Sequence, residues 1–472
     1  MYNISSSESI ISYAKMLKDK TLRQICEPEI EEHHYKGKGN FGQLLEKYYF
    51  GYEPNSASEP DFFEAGIELK SSPLKVLKNG EIRSKERLVL NIINYLEVHK
   101  EEFESSTFWK KNAHLLLIFY LYDKDLDILD YYIKLVDEWK YPLEDLNIIK
   151  RDWKIISQKI KDGKAHELSE GDTFYLGACT KGSTSLKSFR EQPFNSQKAK
   201  QRAYSLKQGY VNHIIAKIAH EEIAVYGKII KKIEILNNEN SIEDIVISKF
   251  RPFYGINDSN IEAKLNLKVK KSKQYYSSLS KAILGVEIDK EIEEFQKAEI
   301  EIKAIRVEEN NCIIQSVSFP AFKFKQIYEE SWRDSELKDL IEKKFLFVFF
   351  KKNKFGYYLD KAKFWNMPYK DRNEFRMIWL KTKKVIQSGN IFKDYARDKN
   401  GNIRYSKKGH PIRKNNLPKL KESRVCHVRP HGTDSTFTYP LPVEDKKLKI
   451  IEYSRQCFWL NASYVRDEIY LK

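Results

Sequence analysis

The sequence predicts a mixed α/β chain made of two related domains, each a mixed β-sheet flanked by helices. Three features lead to that reading. The chain has 472 residues, 41% of them hydrophobic, which suits two or three domains of ordinary size, each with its own core. Short apolar runs of strand length alternate with stretches of helical periodicity. A faint repeat also links the two halves. Asp61-Phe-Phe-Glu-Ala-Gly-Ile-Glu68-Leu-Lys70 resembles Glu294-Phe-Gln-Lys-Ala-Glu-Ile-Glu301-Ile-Lys303, with an acid seven residues before the Glu of an E-x-K in both. An apolar strand follows each, Leu115–Tyr122 and Phe345–Phe350. The halves also end alike, Tyr204-Ser-Leu-Lys-Gln-Gly-Tyr210-Val against Phe458-Trp-Leu-Asn-Ala-Ser-Tyr464-Val.

Residues 5–50 read as helical. Ser5-Ser6-Ser7 with Glu8 offers an N-cap, and Phe41–Phe50 carries apolar residues at helical spacing. Gly51 breaks that pattern, and Pro54-Asn55-Ser56 reads as a loop. Phe62–Leu69 is short and apolar and reads as a strand. Lys78-Asn79-Gly80-Glu81 is a hairpin turn signal. Arg87–Ile93 and Leu115–Tyr122 read as further strands, and residues 195–219 as helix. A charged, Asn-containing stretch at 226–240 is the expected linker between a first domain, 1–225, and a second, 241–472.

Lys and Arg outnumber Asp and Glu by 83 to 67, a net charge of +16. Such a surface points to a polyanionic partner, nucleic acid above all; an inert basic surface is the alternative. High aromatic content with little Gly and Pro argues against extensive disorder. The five cysteines include no CxxC pair, which disfavours a zinc ribbon or a disulfide framework and fits a reducing cytoplasm. Residues 1–30 lack the apolar stretch of a signal peptide. No apolar run approaches the ~18 residues of a membrane span.

The strongest chemical signal is Pro60-Asp61 followed by Glu68-Leu69-Lys70. Strand alternation puts Glu68 and Lys70 on one face, and Asp61 can arrive from the preceding turn. Two carboxylates and an amine then converge, the set that phosphodiester hydrolysis needs. Carboxylates hold Mg²⁺ through oxygen, the metal offsets phosphate charge and acidifies a bound water, and the lysine can orient or deprotonate that water. The competing reading of an E-x-K is a solvated strand face with an ion pair. Glu46, on the preceding helix, could add a third carboxylate or be an ordinary surface Glu paired with a neighbouring Lys. Lys111, just before the strand Leu115–Tyr122, could touch the phosphate or be a plain loop lysine.

The stretch Gly39-Asn-Phe-Gly-Gln-Leu-Leu-Glu46…Pro60-Asp61…Ala65-Gly-Ile-Glu68-Leu-Lys70 closely resembles the MutH family and, within it, the larger Sau-type restriction enzymes that cut GATC. Ser84-Lys-Glu-Arg-Leu-Val-Leu-Asn-Ile-Ile-Asn-Tyr95 and Gly163-Lys-Ala-His-Glu-Leu-Ser-Glu-Gly171 strengthen the likeness. The resemblance implies a PD-(D/E)xK, restriction-endonuclease-like fold, dependence on Mg²⁺, and double-strand cleavage at GATC. It also implies a partner methyltransferase for GATC and a monomer or dimer assembled on DNA. Carried over by position, Asp61, Glu68 and Lys70 are catalytic, with Asp61 and Glu68 as metal ligands. Glu46 becomes an auxiliary acid and Lys111 a further active-site lysine. A nicking enzyme of mismatch repair, or a DNA-binding protein that does not cut, is the alternative.

The family reads DNA late in the domain, on a loop and near the final helix. The matching stretches are Cys179-Thr-Lys181-Gly182 and Arg202-Ala-Tyr204. Thr180-Lys181 stands where the family often shows Arg-Pro, so which residues read bases stays open. Lys181 or Arg202 could donate to guanine O6 and N7 or hold phosphate without reading sequence. The second half has the Arg-Pro pair, Arg429-Pro430, in a stretch where Cys426, His427 and His431 also allow a weak zinc reading. Glu294 in place of Asp, and Ser280 at the position of Glu46, predict a second half that binds GATC as an effector without cutting.

Overall fold

The computed structural model describes residues 2–26, 40–54, 57–181, 188–220, 226–230, 241–406, 409–431 and 437–472. They form two compact units, Met1–Lys249 with Leu284–Glu301, and Phe250–Ile283 with Ile302–Lys472.

The first unit opens with helix α1 (Ser7–Lys15), whose N-cap Ser6 side chain accepts from the Ser9 amide. Helix α2 (Asn40–Leu44) runs into a π-turn, Leu45–Tyr49. Then come β1 (Glu68–Val76), β2 (Ile82–Ser84), β3 (Leu88–Ile92), α3 (Thr107–Asn112), β4 (His114–Leu121), β5 (Ile133–Lys140), α4 (Leu143–Lys161), β6 (Leu176–Thr180), β7 (Arg202–Leu206) and α5 (Gln208–Ile218). The main sheet has the order β2-β1-β4-β5. β1 runs parallel to β4 and antiparallel to β2, and β4 is antiparallel to β5. Leu115 to Phe119 of β4 are all buried, because a central strand covered on both faces reads as a continuous apolar run. A second sheet, β3-β7-β6, is antiparallel throughout.

The hairpin expected at Lys78–Glu81 is present, with Gly80 at φ +84° in the turn between β1 and β2. Other elements differ from expectation. Residues 5–50 are not one helical block but separate short helices, and residues 27–39 lie outside the described part. The first strand starts at Glu68 rather than Phe62. Phe63–Ala65 is a 3₁₀ turn closed by Gly66 at φ +66°, a left-handed position that glycine takes without steric cost. The stretch 195–219 is helical only from Gln208. Before it, Asn195–Lys200 is half of a hairpin with Phe189–Gln192, and every residue of β7 is buried between β3 and β6. Cross-strand burial on both edges overrides helical propensity there.

The domain boundary also differs. Residues 231–240 of the expected linker lie outside the described part, and Leu284–Glu301 packs into the first unit. Helix α6 (Glu293–Ala298) buries Phe295 and Ala298, with Ile292 and Ile300 at its flanks. Its Lys297 ammonium donates to Asp145 of α4 at 3.0 Å. Gly209 of α5 permits the contact, since a Cβ there would meet the Gln296 carbonyl oxygen at 2.0 Å.

The second unit contains β8 (Glu301–Val307), β9 (Val317–Phe322), β10 (Lys344–Asn353), β11 (Gly356–Asn366), α7 (Tyr369–Gln387), β12 (Cys426–Pro430) and β13 (Gln456–Leu460). Its sheets, β8-β10-β11 and β9-β13-β12, repeat β1-β4-β5 and β3-β7-β6. The registers agree as well. Leu206 faces both Leu88 and Leu176, and Leu460 faces both Val317 and Cys426. Helices α4 and α7 have 19 residues each and follow Pro142 and Pro368. An acid near each start, Asp145 or Asp371, accepts from a tyrosine hydroxyl, Tyr210 (3.1 Å) or Tyr464 (2.7 Å). Gly51 and Gly285 share φ near +77°. The repeat in the sequence is therefore a repeat of the fold.

Candidate active site

The acids converge at the start of β1. The bridge between Phe62 and Ile67 turns the chain so that Asp61 overhangs Glu68. The Asp61 amide donates to Glu68 Oε2 (3.1 Å) and the Leu69 amide to Asp61 Oδ2 (2.9 Å). Lys70, two residues along the strand, pairs with Glu68 Oε1 at 2.5 Å, as alternation requires. Glu46 reaches the same place from the π-turn after α2. Gly42 lets that helix approach β1, because a Cβ there would lie 3.2 Å from Ser71 Oγ. The five residues line one cavity of about 430 Å³ with Lys111 as the fifth.

Lys111 is buried, and its ammonium donates to the carbonyls of Ala57 (2.7 Å) and Glu59 (3.1 Å) while lying 3.6 Å from Glu68 Oε1. It thus fastens the loop before Asp61 as well as facing the acids. α3, which presents it, begins at Ser106, whose hydroxyl accepts from the Trp109 amide.

Electrostatics in the cavity are unusual. Burial, then repulsion from Asp61, pushes the Glu46 carboxyl up to about 7. Burial also pushes Glu68 to about 7, with Lys70 opposing and Asp61 adding to the rise. Tyr52 lies beside the same carboxylates. Its burial and their charges raise its pKa, and its hydroxyl is buried without a hydrogen-bond partner. The sequence pattern did not single out Tyr52; its place between Glu46 and Asp61 in the chain is the only signal. Three crowded carboxyl groups, two of them pushed up to about 7, and an orphaned hydroxyl are an oxygen-rich set that Lys70 and Lys111 compensate on the Glu68 side.

That set fits a hard, hydrated cation. Among the described residues no group of three or more His, Cys, Asp or Glu is arranged so that it could hold a metal ion, and here Lys70 and backbone amides engage the carboxylate oxygens. Mg²⁺ does not need a closed cage, since it is commonly held by one or two carboxylates together with water and phosphate oxygens. The weak zinc reading finds no such support. His427 Nδ1 is 2.7 Å from Asn461 Oδ1, His431 Nδ1 is 3.3 Å from Cys457 Sγ, and Cys426 is buried in the core.

The residues expected to read DNA are placed differently from one another. Lys181 is exposed at the end of β6 and its amide donates to Gln201 O (2.8 Å); Gly182 lies outside the described residues. Arg202 departs from expectation: it is buried, and its guanidinium donates to the carbonyls of Ala178 and Leu168. Tyr204 is buried against Phe108, though it borders the cavity. Both residues lie on a strand covered on each side, which the helical reading of 195–219 did not foresee. Arg202→Ala should therefore act on stability, by about 2–4 kcal/mol, because two buried carbonyls lose their donor and a cavity opens. Chemical denaturation checks this; an unchanged midpoint with a selective loss of GATC binding would return Arg202 to the DNA.

In the second unit Arg429 is exposed on β12 and its guanidinium sits 3.8 Å above the Trp459 ring. The leading acid of the second E-x-K is otherwise engaged. Glu294 is buried in α6 and accepts from the amides of Ile229 and Ile230 at 2.9–3.1 Å. Glu301 is exposed at the start of β8. Ser280 is buried, and its hydroxyl donates to the Tyr276 carbonyl.

The family model of the DNA mismatch repair enzyme MutH matches residues 50–152, the stretch holding Asp61, Glu68, Lys70 and Lys111. The type II restriction enzyme Sau3AI of Staphylococcus aureus is 38% identical over 92% of this chain and 93% of its own length. The mismatch repair protein MutH of Shewanella woodyi is 29% identical over 32% of this chain and 63% of its own. A core resembling MutH, extended along nearly the whole chain by likeness to a restriction enzyme, places the chain in the MutH-like, Sau-type family of type II restriction endonucleases, which are site-specific deoxyribonucleases.

Proposed function

We propose that this restriction endonuclease cuts both strands of duplex DNA at GATC with Mg²⁺, through Asp61, Glu68 and Lys70 of the first unit. The observation that carries the reading is the convergence of those residues with Glu46 in one cavity beside β1. Asp61 and Glu68 would hold the ion, which when bound offsets charge on the scissile phosphate and acidifies a water. Lys70, two residues along β1, orients that water and stabilises the negative charge that develops on the phosphate, as an ammonium donor. Glu46, pushed to about 7, is poised to take or return a proton near neutral pH. Lys111 keeps the loop carrying Asp61 in place. With +16 net charge, phosphate neutralisation supplies much of the affinity, and Lys181 is a contact at the end of β6. The five cysteines, all free among the described residues, suit the cytoplasm, alongside a GATC methyltransferase that protects the host. A nicking role in mismatch repair fits less well, because the mismatch repair relative matches only 32% of the chain. Incubating the pure chain with a GATC plasmid and Mg²⁺ tests the proposal. Linear fragments ending at GATC are expected; nicked circles alone would favour the repair role, and intact plasmid a protein that binds without cutting.

The second unit binds another GATC copy as an effector. Glu294, which packs with the first unit, is committed to backbone amides and Ser280 replaces the auxiliary acid, so the second E-x-K lacks the acids to hold a metal, whereas Arg429 lies exposed. Coupling then arises from a difference in DNA affinity between two protein states. Plasmids with two GATC sites should be cut about tenfold faster than plasmids with one, within the range of common couplings. Arg429→Ala should erase that advantage and Glu301→Ala should keep it. Loss of half the cleavage in Glu301→Ala would make the second unit a working nuclease.

A further inference from the structure

We infer that Arg455 is a second base-reading arginine of the effector unit, pre-set by aromatic rings to take a guanine edge; this rests on the effector reading above. The inference starts from the ladder between β12 and β13. Arg429 faces Cys457 and Pro430 faces Gln456. The next pair is His431 with Arg455, whose carbonyl accepts from the His431 amide at 2.9 Å. Arg455 thus stands two pairs along from Arg429, roughly 7 Å at strand rise, about two base-pair steps of duplex DNA.

Both arginines are held the same way. Arg429 lies over Trp459 at 3.8 Å, and Arg455 lies over Tyr439 at 4.6 Å and Phe437 at 5.4 Å. A ring occupies the face of a guanidinium and leaves its N–H edge open, the edge that pairs bidentately with guanine O6 and N7. Neither arginine forms an ion pair among the described residues. Arg424, three residues before β12 reaches its His427, is by contrast tied to Asp371, Glu374 and Glu468. The Arg455 Nε is buried without a hydrogen-bond partner, so in this half-buried residue the terminal Nη groups are the donors left for a base edge. Phe437 is exposed, so the stack is open to a ligand from outside.

The first unit supplies an internal control. Its ladder has the same register, with Cys179 facing Ala203 and the Lys181 amide donating to Gln201 O at 2.8 Å. Cys179 therefore stands where the second unit has Arg429, Gln201 where it has Arg455, and Ser205 where it has Trp459; the counterpart of Arg429-Pro430 is Cys179-Thr180, one residue before the Thr180-Lys181 pair expected from the sequence. Both arginines and the ring beneath Arg429 belong to the second copy alone. A surface that served only to hold the fold would not need them, since the first copy folds without them.

The test is a binding titration of the full-length chain in EDTA with a short fluorescent GATC duplex and a scrambled one. Wild type should bind two GATC duplexes per chain. Arg455→Ala should keep one and weaken the other about tenfold or more, with little change for scrambled DNA and an unchanged melting temperature. Arg455→Lys should not restore the second site, because an ammonium cannot make the bidentate contact. Equal loss on both duplexes with a salt slope reduced by about one, rescue by lysine, or no loss would each overturn the inference and leave the effector reading standing. A single GATC duplex on wild type would overturn the effector reading and this inference with it.

Discussion

Alanine at Asp61 or Glu68 should lower cleavage by about a thousandfold or more, while DNA binding in EDTA stays within about twofold of wild type. The size follows from the chemistry. A metal ion in a phosphodiesterase supplies several kcal/mol of charge stabilisation, and each ~1.4 kcal/mol is tenfold in rate. Glu68 Oε2 moreover accepts from the Asp61 amide and Asp61 Oδ2 from the Leu69 amide, so removing either side chain also loosens the turn that holds the other. Lys70→Ala should have a comparable effect on rate. Its pairing with Glu68 means that the lost amine also leaves that carboxylate without its nearest cation. Binding survives because phosphate neutralisation is spread over many other Lys and Arg residues. Single-turnover plasmid cleavage and an anisotropy titration measure the two sides. Asp61→Ala that still cuts at a tenth of the wild-type rate would refute the assignment.

The second large effect is on pH. Glu46 and Glu68 both rest near 7, against 4.5 for an ordinary glutamate, so the fold favours their protonated forms. The sign follows directly. Their contribution to stability is fully present below 4.5 and is lost as pH rises through about 7. A metal-free chain should therefore melt at lower temperature at pH 8 than at pH 5.5, and Glu46→Gln should flatten that decline. Mg²⁺ needs the ionised carboxylates, so protons compete with it. At subsaturating Mg²⁺, cleavage should fall by up to about a hundredfold per pH unit below 7 if both groups must ionise, and by about tenfold if one must. Raising Mg²⁺ should recover it. A rate independent of pH between 6 and 8 at low Mg²⁺ would show that neither carboxyl controls the metal. Thermal melts with and without Mg²⁺ give the same answer without a turnover.

The convergence of the candidate site residues was legible in the sequence because its order is local. Asp61, Glu68 and Lys70 lie within ten residues, a turn and one strand bring them together, and alternation by two fixes which face they share. The hairpin at Gly80 was legible for the same reason. The repeat was legible too, since Tyr210 and Tyr464 mark the same place in two folds.

Other features could not be read from the chain alone, because their meaning lies in partners distant in sequence. Arg202 looks like a free basic residue until β7 is seen between β3 and β6, where burial turns its guanidinium to Ala178 and Leu168. Tyr52 has no motif, and only the cavity shows its hydroxyl beside three carboxylates. Glu294 matches the catalytic pattern in spacing, yet α6 aims it at the amides of Ile229 and Ile230. Arg455 carries no signal in its own neighbourhood; it gains one from the rings of Phe437 and Tyr439, which the fold brings beside it. Sequence by itself determined the family, the candidate site residues and the doubling of the fold, since each rests on short-range order. Tertiary structure decided which charged groups face the cavity or solvent and which are spent on the fold, because burial and partnership are set by contacts that no local pattern encodes.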